Sequence, residues 1–182
     1  MKLPNKFQAD FNPGVLDMMF QRLKETKWPD IIGEDSWVYG VPRTWLQEMV
    51  DFWVSEWNWA KISDEINQWD NYLVEIDGIP IHYLHAPGRG PNPKPIVLTH
   101  GWPWTFWDFK DVIGPLSDPE KYGGNPEDSF DVYVPSLPGF TFSTPLTHSD
   151  VDVRRVAELW NTLMTDVLGH DRFCAHGGDW GA

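Results

Sequence analysis

Between Tyr72 and Ala175 the chain alternates strand-sized apolar runs with helix-spaced ones, and that order leaves few folds open. Tyr72–Ile76 and Ile79–His85 flank Asp77-Gly78, a two-residue hairpin signal. Ala86–Pro95 is rich in proline and glycine and reads as a loop. Ile96–Thr99 is apolar without alternation, as expected of a strand covered on both faces. Phe106, Phe109, Ile113 and Leu116 then recur at helical spacing. Ser117–Ser129 is polar, with Gly123-Gly124 as a turn, and Phe130–Val134 is a second buried strand. Asp152–Leu168 predicts a helix that buries Val153, Val156, Ala157, Trp160, Leu163, Met164 and Val167. Ser149 and Asp152 resemble a capping box ahead of it, and Gly169 stands where a left-handed cap ends such a helix. Phe173-Cys174-Ala175 is one more strand, which makes Cys174 a small buried residue. A hairpin followed by strand–helix–strand–helix–strand implies an α/β fold with parallel strands and right-handed crossovers.

Residues 1–70 have a different texture. Asn12-Pro13 is a helix start, and Leu16, Met19, Phe20 and Leu23 fall on one face behind it. A second helix is expected over Thr44–Trp57, with Leu46, Met49, Val50, Trp53 and Trp57 as its apolar stripe, and a third over Lys61–Trp69. Six of the chain's twelve tryptophans fall between Trp37 and Trp69, a large aromatic packing surface. A stripe that apolar predicts helices packed on the α/β part, with Trp53 and Trp57 buried in a complete enzyme.

The formal charge of −13 argues against nucleic acid as a partner, because phosphate binding needs basic surface. A single cysteine rules out an internal disulfide framework. No apolar run is long enough for a signal peptide or a membrane span, so a soluble cytoplasmic protein is expected. His82 and His85 have metal-like spacing but alternate across a strand, so no metal site is expected, and no cofactor motif is present.

Two short segments carry chemistry. Gly177-Gly178-Asp179-Trp180-Gly181 follows the last strand. Small residues two before and two after a central acid fit a sharp strand-to-helix turn that lifts one side chain above a sheet. A carboxylate there makes an alkyl ester with a carbon electrophile. His100-Gly101-Trp102-Pro103 directly follows the Ile96–Thr99 strand. A loop in that place donates one backbone N–H to an oxyanion hole, and the residue after the nucleophile donates the other. By resemblance to α/β-hydrolases, where the loop holds that place, the donors here are expected to be the amides of Trp102 and Trp180. His176, beside the turn, reads as a packing or orienting residue.

Together these segments identify a resemblance. "IDGIPIHYLH", "HGWPWTFWDF", "PSLPGFTFS" and "HGGDWGA" occur in the order found in epoxide hydrolases of the microsomal and juvenile-hormone type. The leading helices, with Phe52-Trp53 through Trp57-Asn58-Trp59, are similar to that family's N-terminal segment. The resemblance covers nearly the whole chain and corresponds to the family's N-terminal half. It implies an incomplete α/β-hydrolase sheet at 71–182, preceded by a helical segment at 1–70. It also implies that Asp179 attacks an epoxide carbon, that the Trp102–Pro103 bond is cis, and that Trp102 and Trp180 stabilise the tetrahedral intermediate. The family's base histidine, its carboxylate partner and its lid tyrosines fall beyond residue 182. The expected partners are a small-molecule epoxide and either the remaining half of the fold or a second copy. The chain alone is expected to show no steady turnover. Two other readings fit the residues: a haloalkane dehalogenase-like hydrolase, which also uses Asp, and a non-catalytic folding or interaction module.

Overall fold

The computed structural model describes residues 3–30, 32 and 36–182. The chain divides into two compact units, Ala9–Glu65 and the residues up to Gln8 together with Ile66–Ala182.

In the first unit, α1 spans Pro13–Lys24 and α2 spans Arg43–Ser55. Asn12 caps α1 by accepting from the amides of Gly14 and Val15, with Pro13 at the first turn. α2 ends at Ser55, two residues short of the expected Trp57, and α3 (Trp59–Asn67) begins two residues early. Trp57 and Trp59 meet edge to face at 6.1 Å, and Phe52 packs on Trp57 at 6.3 Å. Trp53 and Trp57 remain 45% and 39% exposed.

The second unit is an open six-stranded sheet in the order β1-β2-β3-β5-β4-β6. Its strands are β1 (Asn5–Phe7), β2 (Asp70–Ile76), β3 (Ile79–Ala86), β4 (Lys94–Thr99), β5 (Phe130–Pro135) and β6 (Cys174–Gly177). The hairpin forms where the sequence puts it: Asp77 and Gly78 both take positive φ, the twist that suits a two-residue loop. β3 pairs antiparallel with β5, and β4 is parallel to both β5 and β6. β1 lies in a stretch that the sequence gives as helical. Three residues are too few for alternation to register, and Phe7 is held by its ring contacts with His82 and Phe142.

Between β4 and β5 the chain makes α4 (Lys110–Ser117), entered through a 3-10 turn at Phe106–Phe109. Between β5 and β6 it makes α5 (Val153–Thr162), which continues as a π-helical turn over Leu163–Val167. The expected continuous helix is thus interrupted by a widened turn. The expected capping box is corrected too: Asp152 itself caps α5, accepting from the Arg155 amide at 2.9 Å. Gly169 takes φ +79, the left-handed position anticipated. Leu159, Trp160, Leu163 and Met164 pack with Val74, Ile76, Ile81, Tyr83, Val97 and Tyr133 as the core. Cys174 is exposed rather than buried, because β6 is the sheet's edge strand.

Candidate active site

The site lies at the carboxyl ends of the parallel strands, where β4 and β6 run side by side from Ile96 and Cys174 to Thr99 and Gly177. This register brings the turn after each strand against the other. After β6 the chain reverses through Gly178, and Asp179 takes φ +56, a conformation that costs energy for any residue with a Cβ. The Asp179–Gly181 turn is 3-10. Its tightness explains the small residues around it. A Cβ on Gly177 would overlap the Gly181 carbonyl, and one on Gly181 would overlap the carbonyls of Thr99 and His100. Gly178 has open space beside it and extended backbone.

After β4, the segment His100-Gly101-Trp102-Pro103 turns toward Asp179. The Trp102–Pro103 bond is cis, as the sequence resemblance implies. The Trp102 amide donates to Asp179 Oδ1 at 3.0 Å. Hydrogen bonds from the backbone amides of Trp180 and Trp102 hold the Asp179 carboxyl below the usual carboxylate range, against a small opposing effect of desolvation. The carboxylate is ionised at neutral pH, with Oδ1 engaged by Trp102. The side chains of Trp102 and Trp180 are themselves exposed.

His100 is buried behind this turn. Its Nε2 accepts from the Leu137 amide at 3.0 Å, so its proton sits on Nδ1, which donates to the Gly101 carbonyl at 2.9 Å. Burial lowers its pKa, opposed by the Gly101 hydrogen bond and by Asp108, and the ring is neutral. Both nitrogens are committed. His176 faces Phe109 edge-on, with ring centroids 6.5 Å apart. Pinned to the same frame, Trp160 Nε1 of α5 donates to Thr99 Oγ1 at 3.1 Å.

A cleft of about 910 Å³ opens beside the turn. Trp102 and Trp180 contact it together with Leu137, Phe140, Val156 and Trp160. Leu137 and Phe140 belong to the loop after β5 and are among the lining residues that sequence reasoning missed. The "PSLPGFTFS" segment was visible as a motif, but nothing in its order gave its distance from Asp179. His82 and His85 do not form a pair: His82 bonds to Ser136 and Asn71, and His85 bonds to Asp131. Among the described residues no group of three or more His, Cys, Asp or Glu is placed to hold a metal ion, and no helix is long and apolar enough to cross a membrane.

An open sheet with a strained acid-bearing turn at the carboxyl edge of its parallel strands is the architecture of the α/β hydrolases, and that fold's family model matches residues 94–182. The model for the epoxide hydrolase N terminus matches residues 4–109. The chain belongs to the epoxide hydrolase family. It is 41% identical over 176 residues to a putative epoxide hydrolase of Stigmatella aurantiaca, a match covering 97% of this chain and 40% of that protein. It is 30% identical over 182 residues to epoxide hydrolase 1 of Oryctolagus cuniculus, covering 97% and 39% respectively. Among solved structures, the epoxide hydrolase of Aspergillus niger superposes with a TM-score of 0.83 at 28% identity, covering 98% of this chain and 46% of that one. Juvenile hormone epoxide hydrolase of Bombyx mori superposes at 0.84 with 25% identity, covering 98% and 47%. The chain therefore spans about 40% of the length of the curated relatives it matches.

Proposed function

We propose that this chain carries the nucleophilic half of an epoxide hydrolase, with Asp179 as the nucleophile. The observation that carries the reading is the Asp179 carboxylate itself: ionised, raised on a strained turn, and steadied at Oδ1 by the Trp102 amide. A free carboxylate oxygen attacks one epoxide carbon. The carbon–oxygen bond to the ring breaks, an Asp179 alkyl ester forms, and the ring oxygen leaves as an alkoxide that takes up a proton. Water then attacks the ester carbonyl. The amides of Trp102 and Trp180 are aimed to receive the negative charge of that tetrahedral intermediate. Release of a vicinal diol restores the carboxylate.

The second step needs a base to deprotonate water, a contribution of about 10²–10⁴-fold. His100 is committed at both nitrogens and supplies none. In our reading the base, its carboxylate partner and the donor to the leaving oxygen come from the part of the family fold that this chain does not span. The 182-residue chain is thus expected to alkylate once and stall.

The test is intact-protein mass spectrometry after incubation with a small terminal epoxide, followed by peptide mapping. The expected result is a single adduct on Asp179 that is absent in Asp179→Asn, with no sustained diol. An adduct from a matched primary haloalkane but not from the epoxide would favour the dehalogenase-like reading. No adduct from either would favour a non-catalytic module.

A further inference from the structure

His82 lies in β3, outside the candidate site, and its side chain is fully buried among the rings of Phe7, Phe106 and Phe142. An imidazole in such a place is expensive unless each polar atom has a defined partner. The partners fix its protonation. Asn71 Nδ2 donates to the carbonyls of Ile66 and Trp69, at 3.1 and 2.9 Å, which turns Asn71 Oδ1 toward the histidine. That oxygen only accepts, so His82 Nε2 carries the proton and donates across 3.1 Å. His82 Nδ1 is then a lone pair, and Ser136 Oγ donates to it at 2.9 Å. With the Ser136 hydroxyl proton used, the 2.6 Å contact with Thr141 must run from Thr141 Oγ1 to Ser136 Oγ.

The same residue grips the loop twice more through its backbone. The His82 carbonyl accepts from the Ser136 amide at 2.9 Å, and the His82 amide donates to Ser143 Oγ at 2.9 Å. Ser143 Oγ in turn donates to the Ser136 carbonyl at 2.8 Å. Between these anchors the chain makes a closed turn whose Thr141 has φ +41, a strained value for a β-branched residue. Such strain persists only where the surroundings over-determine it. The far side of the turn faces the cleft: its Leu137 amide is held by His100, its Phe140 ring packs on His100 at 5.4 Å, and both side chains line the cleft that Trp102 and Trp180 also contact.

We infer that His82 is a positioning residue: as the neutral Nε2–H tautomer it locks the Ser136–Ser143 turn and thereby sets the Leu137–Phe140 wall of the cleft that Trp102 and Trp180 also line. Burial, which pushes the ring's pKa down to about 3, agrees with a neutral side chain. The inference rests on the reaction proposed above only for what the cleft holds; the lock itself stands on the hydrogen-bond geometry.

The test uses the whole chain and no epoxide, so its failure is distinct from failure of the Asp179 reading. Long-range proton–nitrogen spectra of histidine-labelled protein should show His82 as the Nε2–H tautomer and His100 as the Nδ1–H tautomer at pH 7. His82→Phe keeps a ring but removes the acceptor facing Ser136. In that variant, amide exchange at Leu137 and Phe140 should speed by about tenfold or more, the size of effect expected when a buried polar partner is lost. Amides of the β2–β3 hairpin should keep their protection. His82→Asn, whose side-chain oxygen reaches the Nδ1 position, should restore most of the protection. If His82→Phe does not fold, Ser136→Ala removes the same contact and should give the same acceleration. An Nδ1–H or doubly protonated His82 would overturn the inference. So would wild-type exchange at Leu137 and Phe140 in a folded His82→Phe or Ser136→Ala variant.

Discussion

Gly101→Ala puts the close approach of the two turns to a direct test. A Cβ built on Gly101 would sit 2.7 Å from both Cβ and Oδ1 of Asp179 and 3.1 Å from its Cγ. Comfortable carbon contacts begin at about 3.5 Å, so the pair must separate by about 0.8 Å. The Trp102 amide now reaches Oδ1 at 3.0 Å. The same displacement stretches that bond to about 3.8 Å, outside hydrogen-bond range. A side chain could rotate out of a loose contact, but Asp179 sits on a backbone already strained at φ +56 and is pinned through Trp180 as well. The carboxylate should therefore lose the Trp102 amide, and its pKa should rise toward the ordinary aspartate value. Carbon-13 NMR of the Asp179 carboxyl across pH 2–6 reads this directly. Gly178→Ala is the matched control, because nothing lies within 4 Å of a Cβ there and the backbone is extended. It should leave the Asp179 midpoint unchanged and cost less than about 0.5 kcal/mol of stability. A folded Gly101→Ala protein with the wild-type midpoint would refute the argument, as would an equal shift in Gly178→Ala.

Three further outcomes follow from contacts elsewhere. Gly181→Ala drives a Cβ into the carbonyls of Thr99 and His100, backbone atoms with little room to yield, so it should abolish adduct formation at Asp179 even where circular dichroism shows a folded chain. Trp160→Phe removes the indole donor from the buried Thr99 hydroxyl and should cost about 1–3 kcal/mol in urea unfolding; a loss below about 0.5 kcal/mol would show that the contact is replaceable. Burial alone would raise the pKa of Asp131, but hydrogen bonds from His85 and Tyr133, the His85 charge and the Gly88 amide bring it down to about 2. A carboxyl depressed in the folded state stabilises above its unfolded pKa and loses that contribution as pH falls through its folded pKa. The stability gap between wild type and Asp131→Asn should thus be full above about pH 5 and close toward pH 2; a gap that widens in acid would contradict the assignment.

Features set by neighbours in the chain were legible in the sequence. Asn12-Pro13 caps α1, Asp77-Gly78 closes the hairpin, and Gly169 takes its left-handed place, because each depends on a few consecutive residues. Short apolar runs likewise exposed β3, β4 and β5, and helical spacing exposed the start of α5. What escaped depends on partners far along the chain. β1 is three residues whose reason to be a strand is β2, more than sixty positions later. Leu163–Val167 has helical spacing, which does not distinguish an α turn from the π turn that forms, and its Leu163 and Met164 lie in the core against the sheet.

The candidate site divides along the same line. Gly177 and Gly181 were readable as required small residues, because a turn that crowds its own backbone leaves a compositional mark, whereas the close approach of Gly101 to Asp179 shows only in the fold. His100 was readable as part of a motif, but its engagement by Leu137, thirty-seven residues away, was not. His82 carried the weakest signal of all. It is a histidine inside an apolar strand, a pattern shared by a metal ligand, a catalytic base and a satisfied core residue. Only Asn71 on one side and Ser136 on the other decide among these, by fixing which nitrogen holds the proton and leaving no free lone pair. The physical asymmetry is general: steric demands are local and show in sequence, whereas the state of a buried titratable group is set by its partners. His82 and His100, with opposite tautomers and the Ser136–Ser143 turn held between them, are a direct case, and a tautomer measurement at either ring tests that division.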